Sequence, residues 1–349
     1  MSTFSSAEAN PVFPKNRLHY RQRQQYYSII PLFPVNRKFE MDGRLPYRAY
    51  SQYLRERFGE CVYRICLDAG FGCPNRDGTI GRGGCVYCQD RGSWGGGGRP
   101  RPLEEQIRIE KERVRTRYGA RLFIAYFQAH TNTHAPAPTL RKIYDAAVEG
   151  DREIVGLAIG TRPDCIDREK LELIASYRNG NREVWIEYGL QSAHDETLEL
   201  IGRGHDVQSF TDAVQLTREY GIGVFAHLII GLPGEGRSRL LETAEYLAGL
   251  PIDGVKLHNL NIIRGTPLEE WMREGRISPL PLEEYAERVV DFLERTSPDV
   301  VVARLTADTA PGLLIAPLWS LDKGEALRRI RQTFDRRSTY QGRFYGNNP

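Results

Sequence analysis

Residues 61–88 read CVYRICLDAGFGCPNRDGTIGRGGCVYC, and the reading of this stretch decides the fold. Cys61 to Asp68 has the β-branched and aromatic content of a strand, and the glycines after it mark a loop running to about Gly98. The loop carries Cys73, Cys85 and Cys88, with eleven residues between the first two and two between the last pair. A Cys-x-x-Cys pair lets two thiolates reach one metal centre, and Gly78, Gly81, Gly83 and Gly84 let the backbone wrap closely around it. Three thiolates fall one short of a closed structural zinc site, whereas a cubane held by three cysteines leaves one iron open to a small molecule. The spacing favours an iron–sulfur site, with zinc as the alternative.

Outward from the loop the chain alternates regularly. LEEQIRIEKERVRTRY (103–118) places Leu103, Ile107, Val114 and Tyr118 on one face of a helix, and RLFIAYFQ (121–128) follows as a buried strand. Further strands are expected at EIVGLAIG (153–160), EVWIEYGL (183–190), GVFAHLII (223–230) and DGVKLHNLNII (253–263), with helices between them. Six apolar strands alternating with helices call for a parallel α/β sheet, because each parallel connection must cross back over it. Polar residues recur at the strand ends: Gln128, His130, Thr161, Arg162, Gln191, Ser192 and Asn261. A β/α barrel, complete or partial, puts its active site there, whereas a doubly wound open sheet concentrates it at one switch point. The barrel is therefore preferred. A last apolar run, DVVVARL (299–305), and a basic helix over 323–337 close the chain. The expected organisation is a basic N-terminal extension over 1–45, the barrel over 46–300 and a closing segment over 301–349.

A chain of 349 residues with 40% hydrophobic content can bury a sizeable core, which excludes a disordered or fibrous protein. Its apolar runs fall short of the ~20 residues of a membrane helix, and mean hydropathy is −0.48. With no apolar signal segment at the start, a cytoplasmic location is expected, and six cysteines there argue for metal or redox use over disulfides. Charge is segregated within a net +3: residues 1–60 hold 10 Lys/Arg against 5 Asp/Glu, and 323–349 hold 7 against 2, around an acidic middle. Basic ends suit a polyanion at the rim of a site, and solvated tails explain them equally well.

The motifs LDAGFGCPNRDGTIGRGGCVYC, AYFQAHTNTHAP, GTRPDC, EYGLQSAHDETLELIGRGH, HLIIGLPGE and KLHNLNIIRGT stand in this order between residues 67 and 266. Together they resemble the radical S-adenosylmethionine (SAM) superfamily, and within it the YhcC-like proteins, a branch close to the radical half of the elongator catalytic subunit. The resemblance covers about residues 45 to 340. It implies a radical SAM enzyme with a [4Fe–4S] cluster on Cys73, Cys85 and Cys88, whose open iron binds the amino and carboxylate groups of SAM. One electron, from a donor such as flavodoxin or ferredoxin, then breaks the bond from sulfur to the 5′ carbon, giving a 5′-deoxyadenosyl radical that takes hydrogen from an unactivated carbon.

The resemblance also points to SAM contacts. Glu187 lies inside an apolar strand where an unpaired carboxylate would be costly, so either Arg162 pairs with it or SAM does. Where relatives carry Gly-Gly-Glu at the end of the second strand, this chain has Tyr126-Phe127-Gln128, which leaves the SAM amino group to Gln128 or to backbone carbonyls. Gly231, in IIGLPGE, resembles the segment facing the adenine. Gln191, Ser192 and Arg203 belong to QS…GRGH, and Arg203 suits a carboxylate or phosphate as well as it suits a charged surface. Tyr87 resembles the aromatic residue that shields the cluster. Cys61, Cys66 and Cys165 read as small buried thiols, and none of His130, His134, His227 and His258 is named as a base.

Elongator-type relatives modify the 5-position of wobble uridine in transfer RNA, so tRNA is the expected substrate, and Tyr/Arg-rich Arg21–Tyr27 fits RNA binding. The residues after the barrel are too few for the acetyltransferase domain of the elongator subunit. Building the side chain from an acetyl donor in the same polypeptide is therefore excluded, and remodelling an existing side chain, such as removing a carboxymethyl group, stays open. The alternatives are a radical SAM oxidoreductase acting on a small metabolite or protein side chain, and a non-catalytic iron–sulfur or zinc protein.

Overall fold

Period-two alternation in the strands sends one set of side chains to the helices and the other into a cavity. A computed structural model describes residues 45–89, 101–309 and 312–346. The extension expected before residue 45 and the glycine run 95–98 lie outside the described residues. Seven strands, β1 (Val62–Leu67), β2 (Leu122–Phe127), β3 (Ile154–Thr161), β4 (Glu183–Gln191), β5 (Gly223–Ile230), β6 (Gly254–Asn259) and β8 (Val301–Arg304), form one sheet in that order. Every pairing is parallel. The sheet curls into a half-barrel and stays open, since β1 and β8 end the strand order; Ala49, ahead of the first helix, makes a single bridge to Val302. The expected barrel is thus present in its partial form.

Outward-facing Ile65, Leu67, Phe127, Leu157, Ile186 and Val224 pack with the helices into one continuous core. Those helices include α3 (Leu103–Tyr118), α4 (Ala137–Val148) and α7 (Val207–Glu219), after α1 (Tyr50–Phe58) and the short α2 (Pro74–Asp77); α5 (Arg168–Ser176) and α6 (Asp195–Leu200) stand between α4 and α7. Inside the half-barrel, Tyr50 and Tyr53 of α1 meet Trp185 and Phe225 edge-on, with Trp185 and Phe225 centroids 4.8 Å apart. These rings plug the end where the strands begin, each worth about 1.5–3 kcal/mol of burial. Glycines make room for them: a Cβ on Gly254 would stand 2.0 Å from the Phe225 ring, and one on Gly223 2.4 Å from Trp185.

Three details depart from the sequence expectation. Tyr118 leaves the helical core face and is 40% exposed, stacked flat on Tyr63 at 4.2 Å. The stretch 253–263 divides into β6 and β7 (Ile262–Ile263) because Asn259 Nδ2 donates to Asn261 Oδ1 at 2.5 Å, bending the chain between them. β7 then pairs antiparallel with β9 (Leu314–Ala316). The sheet also runs past residue 300, since β8 is its last strand.

The later helices are α8 (Arg237–Ala248), α9 (Pro267–Arg273), α10 (Leu282–Arg295) and α11 (Lys323–Arg337). α11 is the basic helix expected from the sequence, but much of its charge is met by α10: Arg329 pairs with Glu283, Arg336 and Arg337 with Glu287, and Arg337 with Asp291. Among the described residues no helix is long and apolar enough to cross a membrane.

Candidate active site

A cavity of about 710 Å³ opens at the ends of the strands, lined from every strand of the main sheet: Cys66, Tyr126, Thr161, Glu187, His227, Lys256 and Arg304. Cys73, Cys85 and Cys88 line it too, as does the segment after β8 through Ala307, Asp308 and Thr309.

The cysteine loop is built by local backbone bonds. Cys73 caps α2, its carbonyl accepting from Arg76 N at 2.8 Å, with Pro74 at the first helical position, where a missing N–H costs nothing. Ile80 N and Gly81 N return to Pro74 O, Gly84 N to Asn75 O, and Cys88 N to Cys85 O at 2.9 Å. Gly84 has φ +70°, and a Cβ there would lie 2.7 Å from the Arg76 guanidinium. The loop docks on the segment after α6. Asn75 Nδ2 donates to Gly202 O and Arg203 O at 2.9 and 2.8 Å, and a Cβ on Gly204 would stand 2.4 Å from Asn75 Oδ1. Gly204 of GRGH is needed for that contact. Arg203 between them donates through Nε and Nη2 to Gly189 O. Its Nη1 lies 3.7 Å from Cys85 Sγ, and Asn75 Nδ2 lies 3.5 Å from the same sulfur. Burial alone would raise the Cys85 pKa, but the Arg203 charge and these donors hold it below its ordinary value.

Deeper in the cavity lies a buried charged layer. Glu187 is 1% exposed and accepts contacts from three strands: Arg64 Nη1 at 2.9 Å, His227 Nε2 at 2.9 Å, and Lys256 Nζ. Burial would raise its pKa, but the Arg64, Lys256 and His227 partners pull it well below the usual carboxylate value. Lys256 Nζ also donates to Tyr126 OH at 2.9 Å and lies 4.1 Å above that ring. Burial first, then the Arg64 charge, make Lys256 much less basic than an ordinary lysine. Burial and Lys256 together bring His227 down to about 4, so it is neutral near pH 7.

The sequence matches the Radical SAM superfamily over residues 70–247 and the Radical_SAM C-terminal domain over 252–336. The chain belongs to the radical SAM superfamily. It is 41% identical over 266 residues to protein YhcC of Escherichia coli, covering 76% of this chain and 85% of that one. It is 33% identical over 157 residues to a tRNA uridine(34) acetyltransferase of Dehalococcoides mccartyi, covering 44% of this chain and 33% of that one. The structure of Elp3 from the archaeon Methanocaldococcus infernus superposes with a TM-score of 0.60 at 18% identity, covering 80% of this chain and 64% of that one, and shares the fold.

The superfamily implies a [4Fe–4S] cluster and SAM, and the donor set fits the cluster. Cys73, Cys85 and Cys88 are free thiols on one cavity wall. Among the described residues no group of three or more His, Cys, Asp or Glu could hold a single metal ion. A cubane does not require such convergence, because each thiolate takes a different iron. The bound cluster supplies the electron that cleaves SAM; the three cysteines would hold it, and Arg203 and Asn75 would place N–H donors on the Cys85 sulfur.

The structure brings Gln128, Arg162, Glu187 and Gln191 onto the cavity wall, and Ser192 and Gly231 are not among its lining residues. Ser192 Oγ donates to Glu235 and accepts from His194 N at 3.1 Å. Gly231, at φ +95°, approaches Leu280 and Leu260. Arg162 does not reach Glu187: it forms a bidentate pair with Asp164 at 2.8 and 2.7 Å, and Nη1 donates to Arg203 O. Gln128 Oε1 sits 3.5 Å from Cys66 Sγ, so Cys66 is a cavity residue that the sequence reading passed over. Gln191 and His130 take positive φ, 74° and 58°, where the strands release the chain into the mouth. Tyr87 lines the cavity beside the cysteines. Cys61 and Cys165 are outside the lining; Cys61 Sγ contacts Tyr118 O at 3.6 Å, and burial pushes the Cys165 thiol up to about 12.

The motif AHTNTH gains a role the sequence reading did not assign. Asn132 Nδ2 donates to Phe127 O and Gly160 O, and Thr133 Oγ1 donates to Cys165 O at 2.6 Å, stitching the ends of β2 and β3. His134 Nε2 pairs with Asp77 Oδ2 at 2.7 Å and ties the β2 loop to the cysteine loop.

Proposed function

We propose that this radical SAM enzyme remodels the side chain at the 5-position of wobble uridine in transfer RNA. The observation that carries the reading is the match, at 33% identity, to a protein named tRNA uridine(34) acetyltransferase. The cavity's volume of about 710 Å³ accommodates the reacting part of SAM together with a base that has left its stack. In this reading Cys73, Cys85 and Cys88 hold the cluster, and Gln128, Gln191 and Arg162 stand at the mouth within reach of SAM. Ser192, Glu187 and Gly231 act through structure: Ser192 ties to Glu235, Glu187 to the charged layer, and Gly231 to the turn after β5. An electron donor such as flavodoxin or ferredoxin reduces the cluster.

The test is anaerobic turnover of the reconstituted full chain with dithionite, SAM and tRNA from a strain lacking the gene, reading 5′-deoxyadenosine and the mass of the wobble nucleoside together. Formation of 5′-deoxyadenosine with a changed wobble nucleoside is expected. SAM cleavage stimulated by tRNA-free cell extract, with every nucleoside unchanged, would replace tRNA by a small-molecule or protein substrate. Binding to tRNA is expected to weaken steeply with salt, as phosphate contacts require.

A further inference from the structure

The charged layer below the cavity mouth carries an excess of positive charge. Arg64, Lys256 and Arg304 enter it from β1, β6 and β8, and Lys256 and Arg304 are register partners on adjacent strands. Against these three cations stand two carboxylates: Glu187, shared by Arg64 and Lys256, and Asp308 at the rim, 3.1 Å from Arg304 and shared with Lys323. The other cations that line the cavity are engaged elsewhere, Arg162 by Asp164, Arg203 by Gly189 O and the Cys85 sulfur, and Arg76 by Cys88 O. Cations taken from water and left unneutralised are costly, so a layer built this way favours an anionic ligand.

A second observation marks where that charge belongs. His258 stands two residues beyond Lys256 on β6, and so on the same face, with its Nε2 buried and without a hydrogen-bond partner among the described residues. It lines the cavity, its ring centroid 5.4 Å from that of His227. Lys256 has three N–H donors, of which Glu187 and Tyr126 take two. An N–H of Lys256, the Arg304 guanidinium and the His258 imidazole thus line one cavity.

We propose that this layer is a subsite for a carboxylate, so that the substrate presents a side chain ending in a carboxylate group to Lys256, Arg304 and His258. A carboxylate is planar and accepts from two donors at once, which suits the spare Lys256 N–H and the Arg304 guanidinium. The inference rests on the wobble-uridine reading above for where the carboxylate is attached. The same chemistry would hold a separate small carboxylic acid.

The test is calorimetric binding to the cluster-loaded full chain, with 5-carboxymethyluridine, its neutral amide 5-carbamoylmethyluridine, and acetate as probes. The acid is expected to bind at least tenfold tighter than the amide, and Arg304→Gln and Lys256→Met are each expected to abolish that preference. Arg304→Gln alters a partly exposed side chain and keeps the test open if Lys256→Met does not fold. Equal binding of acid and amide to the wild type overturns the subsite and leaves the uridine reading intact. Acetate binding that Arg304→Gln removes, with neither nucleoside bound, keeps the subsite for a free acid and overturns the uridine reading. No binding by any of the three overturns the subsite.

Discussion

Replacing Glu187 with Gln keeps the shape of the side chain and removes its charge. The carboxylate is 1% exposed, with Arg64 and His227 each at 2.9 Å and Lys256 in contact. Arg64 cannot lose its proton, and its guanidinium is sealed beneath the cavity over Tyr50 and Tyr126 at 4.2 and 5.0 Å. Removing one partner of a buried pair and leaving the other uncompensated costs about 3–5 kcal/mol. Set against a typical total of about 5–15 kcal/mol, that is a large part of the stability. Urea unfolding of the full chain, followed by the fluorescence of Trp185 just below the layer, is the assay. Glu187→Gln is expected to lower the unfolding free energy by about 3–5 kcal/mol, and adding Lys256→Met to recover part of it, since the second change removes a buried polar group the first had left short of a partner. A loss below about 1 kcal/mol for the single variant would refute the reasoning, because Glu187 would then not be what neutralises the layer.

Serine at Cys73, Cys85 or Cys88 is expected to abolish retention of iron and sulfide after anaerobic reconstitution, while serine at Cys61 or Cys165 leaves both unchanged; elemental analysis decides. Arg203→Met removes an N–H donor from the Cys85 sulfur and is expected to shift the cluster to a more negative midpoint potential, read by a redox titration monitored by electron paramagnetic resonance; an unchanged potential would show that the 3.7 Å contact is electrostatically idle. Gly254→Ala drives a Cβ to 2.0 Å from the Phe225 ring and is expected to cost about 1–3 kcal/mol or more in urea unfolding, with partial recovery on adding Phe225→Leu. His227, held down to about 4 in the fold against an ordinary value near 6.5, takes up its proton more readily when unfolded. Its contribution to stability is therefore full above about pH 6.5 and is lost as pH falls towards 4, by up to about 1.4 kcal/mol per unit; unfolding at several pH values, with His227→Gln showing a shallower slope, checks the sign.

The first five strands were legible because each has a local signature: an apolar run of six to nine residues, closed by polar residues and followed by a helical period. The cysteine loop was legible for the same reason, since its three thiols lie within sixteen residues of one another. The split at Asn259 and Asn261 was not, because it depends on a bond between two side chains that each suit a strand end. Nor was the role of GRGH, whose Gly204 makes room for Asn75, well over a hundred residues earlier.

The charged layer shows where reading one segment at a time stops. Arg64, Glu187, Lys256 and Arg304 each interrupt an apolar strand, and taken alone each resembles the others: a costly ion needing a partner. Choosing the partner requires the register, which the sequence does not display. Arg162 looked suitable for Glu187 because it lies at the end of the adjacent strand, yet register pairs Glu187 with Gly160, two residues earlier on β3. Arg162 therefore sits one inward position nearer the mouth and turns to Asp164. Glu187 is left to cations at its own depth, which come from strands farther around the curl. One signal was available: on four strands of a single sheet, an ionic residue falls at an alternate position whose immediate neighbours are largely apolar. Four such positions in a curled sheet must face one another, because the outer face is covered by apolar helices and cannot hold them. Their charges, two arginines and a lysine against one glutamate, already leave the layer positive before Asp308 is counted.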